Sequence, residues 1–202
     1  IPKETQLRDI LDQAPAEELE HIFSDYLFGL QRAKQLELYQ FLNGYYLMPL
    51  DGSQYFSSDK ICCPGCLTKK TKGKIRYHHQ ILQAAIVHPD MKQVLPLAPE
   101  SIQNSDGSKK QDCEINASKR IISKIKKAHP RLKIIITGDG LYSKQPFINE
   151  LKTAGMSYIL VAKPTDHKIL FEWVDELTGL GDSSEFEVKD SKGKRYVYQW
   201  IN

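Results

Sequence analysis

Two aspartates in this sequence stand in matching surroundings. Asp51 follows the apolar run YYLMPL and precedes Gly52; Asp139 follows IIITG and precedes Gly140. Two carboxylates brought to one place repel each other, and a divalent cation between them relieves the repulsion. Mg²⁺ suits such a pair, because it takes hard oxygen ligands and is held by one or two carboxylates plus substrate phosphates. Mn²⁺ accepts the same donors. Two such ions about 4 Å apart can clamp the attacking and leaving oxygens of an in-line phosphoryl transfer. The competing reading is two unrelated Asp-Gly turns, since the dipeptide is common in loops.

Two glutamates could add to the pair. Glu114 falls in the first turn of a helix expected from about Asp112 to Ala128. At about 100° per residue it shares a face with Ser118, Ile121 and Ile125. An inward carboxylate there would stand near both strand ends. Alternatively it is a favourable first-turn charge near the helix dipole, with Asp112 as its partner or cap. Glu172 lies on a later helix beside Trp173, where a solvated position is the simpler reading.

The stretch CCPGCLTKKTKGKIRYHH carries a second kind of chemistry. Cys63 and Cys66 have the spacing of a metal knuckle, and structural Zn²⁺ takes four Cys or His ligands. His78 or His79, with Cys62 or Cys113, could complete the set; a turn with reduced cysteines is the alternative. The two histidines begin a strand, so they face opposite ways. The inward one is expected to be buried near Asp51. Lys69, Lys70, Lys72, Lys74 and Arg76 form the densest basic run. With Lys109, Lys110, Lys119 and Arg120 they could track a phosphate backbone, or simply form a solvated face.

Which elements would place these groups? Leu19, Ile22, Phe23, Tyr26, Leu27 and Leu30 recur at helical spacing after Pro15, and a second helical stretch runs from about Arg32 to Leu42. Residues 1–43 therefore read as a helical N-terminal subdomain. From residue 44 the pattern becomes strand-like: YYLMPLDG, ending at Asp51; a basic, cysteine-bearing loop at 57–76; then HHQILQAAIVHP and KQVLPLAPESI, turning at Pro89-Asp90. The helix with Glu114 follows, then strand KIIIT, a helix stopped by Gly155, strand SYILVAK, and a final helix capped by Thr165 or Asp166. Residues 181–202 read as two strands joined by a Lys-Gly turn. The fold class is thus α/β: a three-strand antiparallel meander running into βαβ units across residues 44–180. This is the order of the ribonuclease-H-like mixed sheet, in which the first and fourth strands are neighbours and would carry Asp51 and Asp139.

Composition sets outer limits. The chain has 202 residues, 41% hydrophobic and 26% charged, with a net charge of +3. That permits nucleic-acid binding without demanding it. No run approaches the roughly twenty apolar residues of a membrane span. IPKETQLRD lacks the build of a signal peptide, and the crowded cysteines fit a reduced compartment, so a cytoplasmic setting is expected. The chain does not begin with Met and stops straight after a strand, so it is expected to be a piece of a longer protein.

The motifs LDGSQYFSS, YHHQ, LPLAPE, DGSKKQDCEINASKR, ITGDGLYSKQPFI and ILVAKPTDH, spread from Leu50 to His167, together resemble the DDE transposases of bacterial insertion sequences, in the branch with a β-rich insertion in the catalytic domain. The resemblance implies metal-dependent DNA cleavage and strand transfer on double-stranded DNA at element ends and target, by a homodimer assembled on that DNA. It maps the first two catalytic acids onto Asp51 and Asp139, and it implies a DNA-phosphate contact for Lys163. It also implies a third catalytic glutamate in a Tyr…Arg…Glu…Lys helix. No such pattern precedes Asn202, so that residue is expected beyond it, with 181–202 the start of the insertion. A ribonuclease-H-type nuclease using Glu114 and a non-catalytic DNA-binding remnant are the alternatives.

Overall fold

The computed structural model describes residues 3–11, 16–104 and 110–202. Pro15, expected to precede the first long helix, and most of the NSDGSKKQ loop, with Lys109, lie outside the described residues. Two compact units are present, residues 1–161 and 162–202.

The first unit opens with α1 (Glu4–Leu11), a 3₁₀ turn (Ala16–Leu19) and α2 (Glu20–Arg32). The stripe expected to be buried on α2 divides in two. Leu27 is buried and Leu30 packs on the core, but Leu19, Ile22 and Tyr26 are exposed. Both sets recur at helical spacing, so periodicity alone could not say which of them meets the protein. The helix expected over Arg32–Leu42 is replaced by a 3₁₀ turn (Gln35–Tyr39) and a short strand, β1 (Gln40–Phe41), paired with β2. Lys34, Leu42 and Asn43 have positive φ, which no continuous helix allows.

The sheet is built on β2 (Tyr45–Ser58) and β4 (Lys74–Ile86), which run antiparallel. Strand β3 (Leu67–Thr71) and the short strands β5 (Leu95–Pro96) and β6 (Glu100–Ile102) pair along the far edge of β4. The expected third meander strand is thus split in two between Pro96 and Glu100, where Pro99 supplies no ladder donor. On the other side β7 (Ile134–Gly138) runs parallel to β2, and β8 (Ser157–Leu160) parallel to β7. The order β3-β4-β2-β7-β8 makes this a mixed sheet. Helix α3 (Glu114–Ala128) crosses from β6 to β7, and α4 (Gln145–Thr153) joins β7 to β8.

Strand alternation decides which side chains the helices cover. Tyr46, Met48 and Leu50 of β2, Leu82, Ala84 and Ile86 of β4, and Ile134 and Ile136 of β7 form one buried face. Ala117, Ile121, Ile122 and Ile125 of α3 and Phe147 and Leu151 of α4 join them in one cluster. The spacing of the four α3 residues is that of one helical face. That core fixes the end of α3 carrying Glu114 against the sheet.

Two local expectations change. Strand β2 does not end at Asp51; it continues seven residues to Ser58, paired with β4. The 57–76 stretch is not a loop throughout, because β3 and the start of β4 form a hairpin across it. Lys72 and Gly73 both have positive φ, the pattern of a two-residue turn that matches strand twist.

In the second unit α5 (Lys168–Gly179) precedes the antiparallel pair β9 (Ser184–Lys189) and β10 (Arg195–Trp200). Neither expected cap serves α5. His167 occupies the cap position and its side chain does not cap the helix, and the Lys163 carbonyl accepts from the backbone N–H of Asp166 and of His167. The Lys-Gly turn is as expected: Asp190 Oδ1 accepts from the N–H groups of Lys192 and Lys194, both at 2.9 Å, and Gly193 takes positive φ. No described helix is long and apolar enough to cross a membrane.

Candidate active site and metal centre

Register carries the two aspartates to the same edge of the sheet. The last parallel pair of β2 and β7 is Pro49↔Thr137. Asp51 and Asp139 each lie two residues beyond it, at the edge where β7 ends. Both are exposed. The Asp51 carboxylate makes no hydrogen bond or ion pair among the described residues. Asp139 uses one oxygen to close its own turn, with Oδ1 accepting from Leu141 N–H at 2.9 Å. The turn reading of Asp139 is thus realised, and it leaves the second oxygen available.

Glu114 reaches the same margin from the helix side. Gln80 Nε2 donates to its Oε1, and the Tyr142 hydroxyl donates to its Oε2 at 3.3 Å. Asp112 is not its partner; that carboxylate takes Arg120 instead, at 2.7 Å. The glycines of the two motifs explain themselves here. A methyl group on Gly52 would overlap the Glu114 carboxylate, and one on Gly138 would lie 2.8 Å from the Tyr142 ring. Gly52 is a mid-strand clearance, not a turn.

Tyr142 binds this margin together. Its side chain is buried, with its ring 5.3 Å from that of Phe147. Burial raises its phenol pKa above the ordinary value, and the negative charges of Glu114, Asp139 and Asp51 add to the rise. One hydroxyl therefore senses all three acids. Tyr142 and Gln80 were not foreseen. The only signal was position: Tyr142 lies three residues after Asp139, and Gln80 closes the YHHQ motif.

The acids do not converge as a finished three-ligand cage. By alternation Asp51 projects from the face opposite Leu50 and Gly52, whereas Glu114 approaches over Gly52. Their ligand atoms do not form a set within 4.8 Å; among the described residues Cys63, Cys66 and His79 do. For Mg²⁺ or Mn²⁺ the donor set nonetheless fits in kind: two exposed carboxylates, one on β2 and one just past the end of β7, with water and phosphate left to fill the remaining positions. A groove of about 290 Å³ opens beside Glu114, lined in part by His78, Gln80, Leu141 and, at the foot of the hairpin, Leu67 and Thr68.

The cysteine cluster is compact. Cys63 Sγ and Cys66 Sγ are 3.5 Å apart, and His79 Nε2 lies 3.2 Å from the first and 3.3 Å from the second. These three residues lie close enough to hold a metal ion. Cys66 is buried, and burial raises its thiol pKa. The rings of Tyr55 and Phe56, at the irregularity of β2, stand 5.8 and 5.6 Å from the His79 ring. Burial, Lys69 and His79 lower the pKa of His78, on the opposite face of β4. Neither histidine adjoins Asp51, whose partner across the ladder is Gln83, four residues beyond His79.

The basic groups separate into two sets. Lys69, Lys70, Lys72, Lys74 and Arg76 are exposed on the hairpin, and none makes an ion pair among the described residues. Lys69, Lys74 and Arg76 share one of its faces by cross-strand pairing, Lys69↔Arg76 and Thr71↔Lys74. Lys119 and Arg120, expected to extend a phosphate path, are engaged within the protein: Lys119 with Glu150 at 3.2 Å, Arg120 with Glu100 at 2.5 Å and Asp112 at 2.7 Å. Lys110 is exposed. Lys163 and Glu172 belong to the second unit and are exposed there.

No family model matches the chain. No curated protein matches it either.

Proposed function

We propose that this chain is the core of a metal-dependent DNA strand transferase of the DDE type, built on a ribonuclease-H-like sheet. The observation that carries the reading is that Asp51 and Asp139 each lie two residues beyond the last parallel pair of β2 and β7, Pro49↔Thr137, with Glu114 reaching that edge from α3. The strand order supports it: the first long strand lies between the antiparallel β4 and the parallel β7, and an α3 crossover brings Glu114 back to the edge. The motif likeness to insertion-sequence transposases supplies the substrate class.

In this reading Asp51 and Asp139 hold Mg²⁺ or Mn²⁺, which when bound activates a hydroxyl nucleophile and stabilises the leaving oxygen. The chain's own residues set the stage. Tyr142 and Gln80 fix Glu114 through two hydrogen bonds, keeping its charge aimed at the margin. The exposed cations of the hairpin attract the phosphate backbone without reading sequence, and a contact from Lys163 to phosphate belongs to the same proposal. The homodimer and the cytoplasmic setting come with the family likeness.

A second reading has its own support. Glu114 is held at the margin by two partners, which suits a nuclease that cuts without joining. An assay of Mn²⁺-dependent plasmid cleavage, with joining of a 3′-hydroxyl oligonucleotide followed in parallel, separates the cases. Asp51→Asn and Asp139→Asn should abolish both activities while leaving DNA affinity nearly intact. Loss of cleavage in Glu114→Gln with no joining by the wild type favours the nuclease. Full activity in either aspartate variant overturns both readings and leaves a DNA-binding remnant.

A further inference from the structure

We propose that Cys63, Cys66 and His79 form a structural Zn²⁺ site that fastens the CCPGC turn to β4 at the foot of the basic hairpin. The triangle of ligand atoms, with edges of 3.5, 3.2 and 3.3 Å, carries it. Around tetrahedral zinc, bond lengths of about 2.3 Å to sulfur and 2.0–2.1 Å to nitrogen give edges of roughly 3.8 Å between sulfurs and 3.6 Å between sulfur and nitrogen. The observed edges fall a few tenths of an ångström short of these. A disulfide is excluded in this arrangement, because the sulfurs stand well beyond the bonded separation of about 2.05 Å. Hydrogen bonds can span the triangle only if the imidazole N–H is shared between both sulfurs, whereas one cation satisfies all three donors at once.

The surroundings are those of a built site. Cys66 is 6% exposed. The backbone closes the knuckle, with Cys66 N–H donating to Cys63 O at 3.1 Å and Cys63 N–H directed at Cys66 Sγ at 3.2 Å. An N–H aimed at sulfur favours the thiolate that zinc requires. Tyr55, stacked on the imidazole, holds the His79 ring in plane. Thiolate and imidazole donors select zinc over Mg²⁺ or Mn²⁺, so this centre is chemically separate from the carboxylate margin. Solvent or the neighbouring Cys62 thiol takes the fourth position. A cation here would tie residues 63–66 to β4 just before Leu67 enters β3, so it fixes the base of the hairpin that carries the five exposed cations.

The test uses the whole chain, expressed with zinc in the medium and purified under reductant. Elemental analysis should find about one zinc per chain. Cys63→Ser, Cys66→Ser and His79→Ala should each lower it at least tenfold, and His78→Ala, on the other face of β4, should keep it. Co²⁺ substituted for zinc should give the intense visible bands of a tetrahedral thiolate site. If the cysteine variants do not fold, a chelator added to the folded wild type decides the matter: zinc removal should speed tryptic cleavage at Lys69 and Lys70 several-fold. Absence of stoichiometric zinc, equal loss in His78→Ala and His79→Ala, or unchanged proteolysis after zinc removal would overturn the proposal. Asp51→Asn should retain the zinc, so this result is independent of the phosphoryl-transfer reading.

Discussion

Gly52→Ala tests the packing of the margin at its tightest point. The new methyl group would overlap the end of the Glu114 side chain and lie 2.7 Å from Gln80 Nε2. Both neighbours are side-chain termini, so the backbone can stay while Glu114 swings away. That forfeits the bonds from Gln80 and Tyr142. Hydrogen bonds to a charged group contribute about 1.5–3 kcal/mol each when buried. Glu114 is only half-buried, which places the pair at the low end. Replacing glycine also restricts the unfolded chain, returning about 0.4–1 kcal/mol. The net loss is then on the order of 2 kcal/mol, or roughly 4–8 °C in Tm for a chain of this size. The decisive assay is a double-mutant cycle by urea unfolding. In a Glu114→Ala background the methyl meets only the Gln80 amide, a flexible terminus no longer held by Glu114, so Gly52→Ala should become neutral or slightly stabilising. The coupling should reach about 2–3 kcal/mol, at the upper end of the range for contacting residues. An equal cost in both backgrounds would refute the clearance role of this glycine.

Two further outcomes follow from the structure. His129 is buried, its Nδ1 has no partner among the described residues, and burial lowers its pKa below the ordinary 6.5. The unfolded chain therefore takes up the proton more readily, so the stability His129 leaves in place above 6.5 is lost as pH falls through that value towards the lower folded pKa; His129→Phe should flatten that part of a urea-midpoint profile. Replacing Lys69, Lys74 and Arg76 together by Gln should lower the salt dependence of duplex-DNA binding, with the slope of log affinity against log salt falling by roughly one for each phosphate no longer neutralised; an unchanged slope would show the hairpin to be only a solvated face.

Much of the fold could be read from local pattern, and the shortfalls have a common cause. The runs IIIT and YYLMPL, and the face of Ile121, Ile122 and Ile125, announce a sheet and its covering helix because burial imposes their periods. Asp51 and Asp139 stood out for the same reason. Gly52 was misleading: a glycine after an apolar run reads as a turn, and only the helix crossing above it reveals a clearance. Tyr142 and Gln80 come to Glu114 from 28 and 34 residues away, and no local spacing encodes that meeting. The knuckle cysteines were visible, but the choice of His79 over His78 depended on strand parity and on the irregularity of β2 at Tyr55. The α2 stripe failed because two sets of apolar residues shared one period. Lys119 and Arg120 looked free in sequence because Glu150, Glu100 and Asp112 reach them only in three dimensions.

The most direct test of the central claim is Mn²⁺ binding to the carboxylate margin, followed by paramagnetic resonance of free Mn²⁺ after the zinc content has been fixed. The wild-type chain should take up Mn²⁺, with Asp51→Asn and Asp139→Asn each weakening uptake at least tenfold and Cys63→Ser leaving it unchanged. Equal Mn²⁺ uptake by the wild type and both aspartate variants would contradict the account.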